Sequence, residues 1–203
     1  PYYYHWTQML PLYEQELAEF KQRVANLDEE PVKPLSRPRR KLTGVAFELL
    51  GDHAETYELT VGAKPFTDRG YVVLQLAEEL EGLTGIRFAH TAARSGQLAP
   101  IRFRTEVPVK VLIGYFDEER DIWAQPPNLD IDSQAARHGG VETVLRNVMQ
   151  LEGCPAVKLH AFTYDAGEIT FDPRSPGSFL ILGIVAADAE ITRRDVGLSP
   201  GRK

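Results

Sequence analysis

Alternating hydrophobic and polar positions run through much of the chain after residue 42, and they predict β-strands. Successive side chains of a strand point to opposite faces, so one apolar residue in two is typical of a strand with one buried face. Stretches of this kind, separated by Gly and Pro, predict nine strands: Leu42–Leu50, Thr56–Val61, Tyr71–Leu76, Ile86–Ala89, Ile101–Thr105, Val109–Phe116, Val157–Tyr164, Glu168–Phe171 and Phe179–Val185. Gly51–Asp52 is a turn signal between the first two, which we expect to pair with each other. The whole pattern favours an all-β fold, an antiparallel β-sandwich or jelly roll.

The first 30 residues carry a different pattern, in which apolar residues recur at spacings of three and four. This places them on one stripe of a helix beginning near Leu12. The stripe consists of Leu10, Tyr13, Leu17, Phe20, Val24 and Leu27. Two heptads are too few for a stable coiled coil, so we expect a connecting helix that packs on its own domain or on a neighbour. The run of aromatic residues before it, from Tyr2 to Trp6, indicates the edge of a larger core or, alternatively, a platform for stacking sugars.

The sequence therefore predicts four parts. Residues 1–30 form the N-terminal connecting helix, residues 31–41 a Pro- and Arg-rich linker, residues 42–188 the β-sandwich, and residues 189–203 a mobile tail. Within the sandwich, Asp130–Gly153 fits either a helix or an irregular edge strand, and we expect a long excursion with at most one helix. Because the chain begins at Pro1 rather than methionine, we expect it to be a piece of a longer protein.

Composition and charge exclude several kinds of partner. The net charge is −6, so nothing global favours binding to nucleic acid or to an anionic membrane. The one basic run, Arg37–Lys41, follows several prolines and is typical of a solvated linker. The apolar stretches are far shorter than the roughly 20 residues that cross a bilayer. Cys154 is the only cysteine, which excludes an intramolecular disulfide and a cysteine-rich zinc site.

No motif for catalysis is strong enough to assign a catalytic residue. The sequence has no Gly-x-Ser-x-Gly, no His-Glu-x-x-His and no phosphate-binding glycine loop, so neither a zinc-protease site nor a nucleotide cofactor is expected. His160 lies inside an apolar strand, where a hydrogen-bonded core residue is more typical than a general base. Two acidic groups offer oxygen ligands suited to calcium, or are simply solvated. They are Asp117, Glu118, Glu119 and Asp121, and then Asp130 with Asp132.

The loop after Val109–Phe116 is the candidate binding site. Sugar binding needs an exposed aromatic ring to stack on the apolar face of a sugar, with polar groups that bond its hydroxyls. The candidate carbohydrate-binding residues are Tyr115, Asp121, Trp123, Gln125 and Asn128. In the alternative interpretation Trp123 closes the open end of the sandwich. The two interpretations differ in the exposure of Trp123, because sugar binding requires that its ring be exposed.

Several motifs resemble a β-sandwich domain, galactose-binding-like or jelly-roll, that occurs in secreted bacterial carbohydrate-active proteins beside glycoside hydrolases and polysaccharide lyases. They are Asp68-Arg69-Gly70-Tyr71, Leu80-Glu81-Gly82-Leu83-Thr84-Gly85-Ile86-Arg87, Ile101-Arg102-Phe103, Pro108 to Tyr115 and Asp121-Ile122-Trp123, with a looser match over Tyr164–Phe171 and Phe179–Val185. The chain departs from the family pattern in two places. It inserts Asp130–Gly153, and it has Trp123-Ala124 where the family has Trp-Leu.

The resemblance implies a non-catalytic accessory module that binds glycan or docks on a neighbouring domain. A second hypothesis is that the module completes the active site of a glycoside hydrolase or lyase together with a catalytic domain elsewhere. A third is a purely structural scaffold. The implied partners are a polysaccharide or oligosaccharide and the neighbouring catalytic domain, and the implied location is secreted or periplasmic. In such domains the pair Asp68-Arg69 is expected to be structural, closing a turn through an ion pair.

Overall fold

The computed structural model describes Leu17, Ala18, Lys21 and residues 41–126, 143–172 and 176–198. The chain divides into two compact units, Pro1–Arg39 and Arg40–Lys203, and the division falls within the range predicted to be a linker. Leu17, Ala18 and Lys21 are all helical. The rest of the predicted N-terminal helix lies outside the described residues.

The described part of the second unit contains twelve strands and one short helix. The strands are β1 (Glu48–Leu50), β2 (Ala54–Glu58), β3 (Val73–Leu76), β4 (Thr84–Phe88), β5 (Ile101–Thr105), β6 (Val109–Phe116), β7 (Leu145–Arg146), β8 (Met149–Leu151), β9 (Val157–Tyr164), β10 (Gly167–Phe171), β11 (Leu180–Ala186) and β12 (Arg194–Asp195). The helix, α1 (His90–Arg94), lies between β4 and β5. Among the described residues, no helix has the length and apolar character needed to cross a membrane.

The strands form two main sheets and a small third one. The larger sheet has seven strands in the order β12-β7-β9-β6-β11-β4-β2, and the smaller has three in the order β1-β5-β10. Strands β3 and β8 pair separately. The described ladders are antiparallel except for the parallel pair of β12 and β7. The prediction of an all-β sandwich is confirmed.

Strand β6 lies in the middle of the larger sheet. It pairs over its full length with β9, from Val109 opposite Tyr164 to Phe116 opposite Val157, and on its other side with β11. Every residue of β6 except the half-buried Lys110 is buried. A strand covered on both faces needs apolar residues at nearly every position, which explains why this segment is continuously hydrophobic rather than alternating.

The smaller sheet shows the alternation that a half-exposed sheet requires. In β5 the side chains of Ile101, Phe103 and Thr105 are buried while the two arginines between them are exposed. On the exposed face Arg104 lies between two carboxylates, 3.4 Å from Glu48 on β1 and 3.8 Å from Glu168 on β10. These pairs are solvent-exposed, so each contributes at most about 1 kcal/mol.

Aromatic rings join the two sheets. Phe171 of β10 contacts Phe162 of β9 at 6.2 Å and Phe179, just before β11, at 5.6 Å between ring centroids. Phe179 in turn contacts Phe88 of β4 at 4.8 Å. Pairs of this kind stabilise a fold beyond the burial of their area. The core of the sandwich therefore lies between the inner face of the smaller sheet and one face of the larger.

The first two predicted strands form over part of their predicted ranges, but they do not pair with each other. Strand β1 pairs with β5 in the smaller sheet, and β2 pairs with β4 in the larger. The turn signal at Gly51 is real, since this residue has φ of 93°. The turn carries the chain from one sheet to the other instead of closing a hairpin, which local turn chemistry does not distinguish.

Two further segments were left open or incomplete by the sequence. The described part of Asp130–Gly153 contains β7 and β8 and no helix, which agrees with the edge-strand alternative, while residues 130–142 lie outside the described range. Beyond residue 188, where we expected a mobile tail, β12 joins the larger sheet. Its Arg194 forms an ion pair with Glu79, and Leu198 donates its amide to the carbonyl oxygen of Asn147 at 3.0 Å. The sandwich thus extends further than predicted, to Leu198.

Substitution of Gly85 tests the packing of the larger sheet. Gly85 lies opposite Tyr57 in the β2–β4 pair, and a Cβ atom at this position would be 2.6 Å from Tyr57 Cε1 and 2.7 Å from the carbonyl oxygen of Ile181. Because a backbone oxygen cannot rotate away, we expect Gly85→Ala to lower the free energy of unfolding by about 1–3 kcal/mol, measured by urea denaturation.

Gly70→Ala is the matched control, because nothing lies within 4 Å of its Cβ position. It should change the free energy of unfolding by less than about 0.5 kcal/mol. A Gly85→Ala variant as stable as wild type would show that β2 and β4 do not pack as described.

Candidate functional site

The loop predicted to bind sugars begins where β6 ends, and it is held at both of its ends. Asp117 donates its amide to the carbonyl oxygen of Ala156 at 2.8 Å. Further on, Trp123 forms a parallel β-bridge with Ser178. The amide of Ala124 donates to the carbonyl oxygen of Ser178 at 3.0 Å, and the amide of Ser178 donates to that of Ile122 at 2.8 Å. This loop (residues 117–125) is therefore part of the hydrogen-bonded framework at one end of the sandwich.

Trp123 is the residue on which the two interpretations of the loop depended, and it is only 5% exposed. Its ring lies 4.0 Å from that of Phe116, the last residue of β6, with an interplanar angle of 32°. Its Nε1 donates a hydrogen bond to Glu118 Oε2 at 3.1 Å. An indole covered in this way has no free face for a sugar. In this structure Trp123 closes the end of the sandwich, as the alternative interpretation requires.

The other four predicted residues are placed differently from one another. Tyr115 is buried, 6% exposed, with its ring 5.3 Å from that of His160. Asp121 and Gln125 are exposed on the loop, and Gln125 donates to the carbonyl oxygen of Glu118 at 3.1 Å. Asn128 lies outside the described residues. The structure therefore leaves Asp121 and Gln125 exposed on the same loop, without an exposed aromatic partner among the predicted residues that it describes. Carbohydrate binding by this set stays a prediction.

A cluster of rings behind the loop includes a residue that sequence reasoning missed. His90, the first residue of α1, is 3% exposed. Its ring lies 5.1 Å from Phe66, 5.8 Å from Tyr71 and 5.8 Å from Trp123, each in an edge-on arrangement. We call these four residues the aromatic cluster. It joins the segment around residues 66–71, helix α1 and the loop into one unit.

Both ring nitrogens of His90 are buried without a hydrogen-bond partner. Most buried polar side-chain atoms in proteins have one, so this arrangement is unusual. Burial, and next the guanidinium of Arg69, lower the pKa of His90; the carboxylate of Asp68 opposes them, and Arg94 lowers it further. The imidazole is therefore neutral at pH 7, and a charge on it would be poorly solvated.

Asp68 caps the helix that carries His90. Its Oδ1 accepts the amide of His90 at 2.6 Å and its Oδ2 accepts the amide of Thr91 at 2.9 Å. Partial desolvation raises the pKa of Asp68, but hydrogen bonds from the hydroxyl and amide of Thr91 and the amide of His90 outweigh it and hold the pKa below its usual value. The adjacent Arg69 donates to Thr91 Oγ1 at 3.3 Å. The pair Asp68-Arg69 is structural, as expected, but it works by capping α1 and not through an ion pair between its two members.

The sequence contains a partial signal for this arrangement. His90-Thr91-Ala92-Ala93-Arg94 is followed by Gly96, which has φ of 69°, and alanines before a glycine are typical of a short helix and its end. The cap, however, comes from a residue 22 positions earlier. No local pattern reveals a partner at that distance.

The described residues show no arrangement typical of a catalytic centre. His160 is buried and shares a hydrogen bond of 3.1 Å with Thr143 Oγ1, consistent with the expected core role. Burial raises the pKa of the Cys154 thiol to about 12, which keeps it unreactive. Across the described ranges, no three His, Cys, Asp or Glu side chains lie together in a way that could hold a metal ion. Calcium binding stays a prediction.

Comparison with known proteins finds a similar fold in part of one glycoside hydrolase. Neither a protein-family model nor a curated protein sequence matches the chain. Among solved structures, it is similar to a GH138 enzyme targeting pectin rhamnogalacturonan II, with a TM-score of 0.73 and 28% identity. A β-glucuronidase from glycoside hydrolase family 2 is more distant, with a TM-score of 0.44 and 15% identity over 74% of this chain.

The likeness to the GH138 enzyme covers 95% of this chain but only 22% of that one. For the family 2 enzyme the covered share of its chain is 15%. The chain is thus related in fold to part of a carbohydrate-active enzyme, which confirms the broader part of the resemblance. Its assignment as a galactose-binding-like accessory domain stays a prediction.

Removing the cap on α1 tests the geometry of this end of the sandwich. Asp68→Ala leaves the amides of His90 and Thr91 without their acceptor, so we expect the free energy of unfolding to fall by about 1–2 kcal/mol. The measurement is urea denaturation at pH 7. Asp121→Ala, which removes an exposed carboxylate of the loop, is the control and should be close to neutral. Equal stability of both variants would contradict the capping role.

Proposed function

We propose that this chain is a non-catalytic β-sandwich module of a larger carbohydrate-active enzyme, and that its loop end docks on a neighbouring catalytic domain. The observation that supports this most is the likeness to the GH138 enzyme, which includes nearly all of this chain and about a fifth of that protein. A module of that relative size belongs beside other domains. Secretion, or a periplasmic location, would follow from such a role.

The geometry of the loop favours docking over sugar stacking. Trp123 and Tyr115 are buried, so the loop presents polar side chains, Asp121 and Gln125, on a hydrogen-bonded base. Interfaces between domains of one chain are more polar than obligate interfaces, and they tolerate such residues. An ordered polar surface of this kind suits contact with a folded partner.

Glycan binding at the same loop is the second candidate. Exposed Asp121 and Gln125 offer a carboxylate and an amide for sugar hydroxyls, and the protein of the GH138 comparison is described as targeting pectin rhamnogalacturonan II. A related possibility is that Asp121 faces the cleft of the catalytic domain and completes its active site. A purely structural scaffold would need none of these side chains.

Charge reversal in the full-length parent enzyme tests docking. Asp121→Arg places a cation on the loop, and we expect the module to separate more easily from its neighbour, seen as faster limited proteolysis between domains. Asp165→Arg is the matched control, because Asp165 follows β9 at the opposite end of the β6–β9 pair and is also exposed. Equal proteolysis rates in the two variants would contradict docking through the loop.

Titration of the isolated chain with polysaccharides separates the second candidate from the first. Docking predicts no saturable heat of binding by calorimetry with rhamnogalacturonan II or other pectic, algal or host glycans. Saturable binding that is lost in the double variant Asp121→Ala/Gln125→Ala would replace docking by glycan binding at the loop. Trp123→Ala is unsuitable for this purpose, because deleting a buried indole costs about 3–5 kcal/mol of stability.

A further inference from the structure

We propose that the loop end of the sandwich is an acid-sensitive switch, in which protonation of His90 releases α1 and opens the aromatic cluster. This inference does not depend on the proposed function. It rests on the position of His90, which is 3% exposed among three aromatic rings.

A proton added to His90 would find no group in the closed arrangement to bond it. Neutral imidazole has one N–H donor, and neither of its nitrogens finds a partner here. Imidazolium has two donors and a positive charge, and both donors would point into the same partnerless surroundings. Burying a charge without a counter-group is far more costly than burying a neutral polar group. The closed arrangement therefore accommodates only the neutral form.

Three charged side chains act on the ring of His90. On its own helix, Arg94 is positive, and on the packed segment 66–71, Arg69 is positive and Asp68 negative; all three act on His90. Asp68 already accepts two amides of α1. Tyr71, on the same segment, contributes only a neutral ring contact.

The loop that carries Trp123 contributes no carboxylate to the charges that act on the ring. Its Glu118 is engaged by Trp123 Nε1 at 3.1 Å and by Arg120 at 2.9 Å. The third packed segment, around Ser178, contributes a hydroxyl that donates to the carbonyl oxygen of His90 at 3.2 Å. Two positive charges and one negative charge therefore act on the ring. A further positive charge, on His90 itself, would be repelled.

Helix α1 is the element that would open when His90 is protonated. Few bonds hold α1 to its surroundings: the cap from Asp68, the contact of Arg69 with Thr91, the hydroxyl of Ser178, and the amide of Gly177 on the carbonyl oxygen of Ala93 at 3.0 Å. The centre of the larger sheet, by contrast, is held by the uninterrupted eight-residue ladder of β6 and β9. A five-residue helix with few ties can open locally while the sheets stay folded. Opening would expose the ring of Trp123 that the closed form covers.

The direction of the pH effect follows from linkage. In the unfolded or opened chain, His90 takes up a proton near its ordinary pKa of 6.5, whereas the closed form resists it. Stability is therefore complete above that pH and falls as the pH drops below it. Asp68 titrates at lower pH and does not contribute to this window.

The experiment compares thermal and urea unfolding at pH 7.5 and pH 5.5. In wild type the linkage from His90 should lower the folding equilibrium constant by up to about tenfold between these pH values. His90→Phe and His90→Asn should lack that component, and two variants are used in case one fails to fold. His53→Gln is the control, since this histidine is exposed and lies outside the aromatic cluster, so the variant should keep the component from His90.

A second readout separates local opening from global unfolding. Amide hydrogen exchange, corrected for the intrinsic rate at each pH, should show loss of protection over residues 89–97 at pH 5.5 while β6 and β9 stay protected. The proposal is overturned if His90→Phe and His90→Asn keep the pH dependence of wild type. It is equally overturned if residues 89–97 lose protection only together with the central strands.

Discussion

The burial of β6 on both faces is the constraint on which the rest of this structure depends. Seven of its eight residues are buried, so layers must cover it from both sides. One is the smaller sheet, joined to the larger through Phe171 and Phe162. On the other side, Leu83 lies against Gly183 of β11, so closely that a Cβ there would be 2.9 Å from Leu83 Cδ1. Since β6 remains apolar to its last residue, Phe116, the chain beyond it must also supply a cover.

Trp123 provides that cover, and this explains why the loop is closed. The indole stacks on Phe116 and its nitrogen bonds to Glu118, while His90 meets it from α1. The same side chain therefore cannot serve as an exposed sugar platform in the closed form. The burial that completes the core also determines which functions the loop can perform. The loop still presents Asp121 and Gln125 outward, and these are the side chains on which the proposed docking depends.

Sequence patterns predicted the strands well because each long strand carries its own signal. Ile101–Thr105 alternates and Val109–Phe116 is continuously apolar, and both form as predicted. The strands that were missed, Leu145–Arg146, Met149–Leu151 and Arg194–Asp195, have two or three residues each. A strand this short is defined by its partner and has no periodicity of its own. The pairing of β1 and β2 was wrong for a related reason, because a turn signal does not say which sheet the next strand joins.

The candidate site was harder to predict than the fold. An aromatic residue in a polar loop has the same local sequence whether it stacks on a ligand or on its own core, so the exposure of Trp123 could not be inferred. His90 was missed because its importance comes from neighbours that are distant in sequence, Phe66, Tyr71 and Trp123. The cap from Asp68 is similar. The pair Asp68-Arg69 was expected to be structural, yet the helix that it caps was not foreseen.

The most direct test of the account is the accessibility of Trp123 at neutral pH. In a Trp6→Phe background Trp123 is the only indole, because the chain has two tryptophans. Acrylamide quenching of its fluorescence should be weak and its emission blue-shifted, since a covered ring meets neither quencher nor water. Strong quenching with red-shifted emission at pH 7.5 would contradict the closed loop and restore the exposed sugar platform.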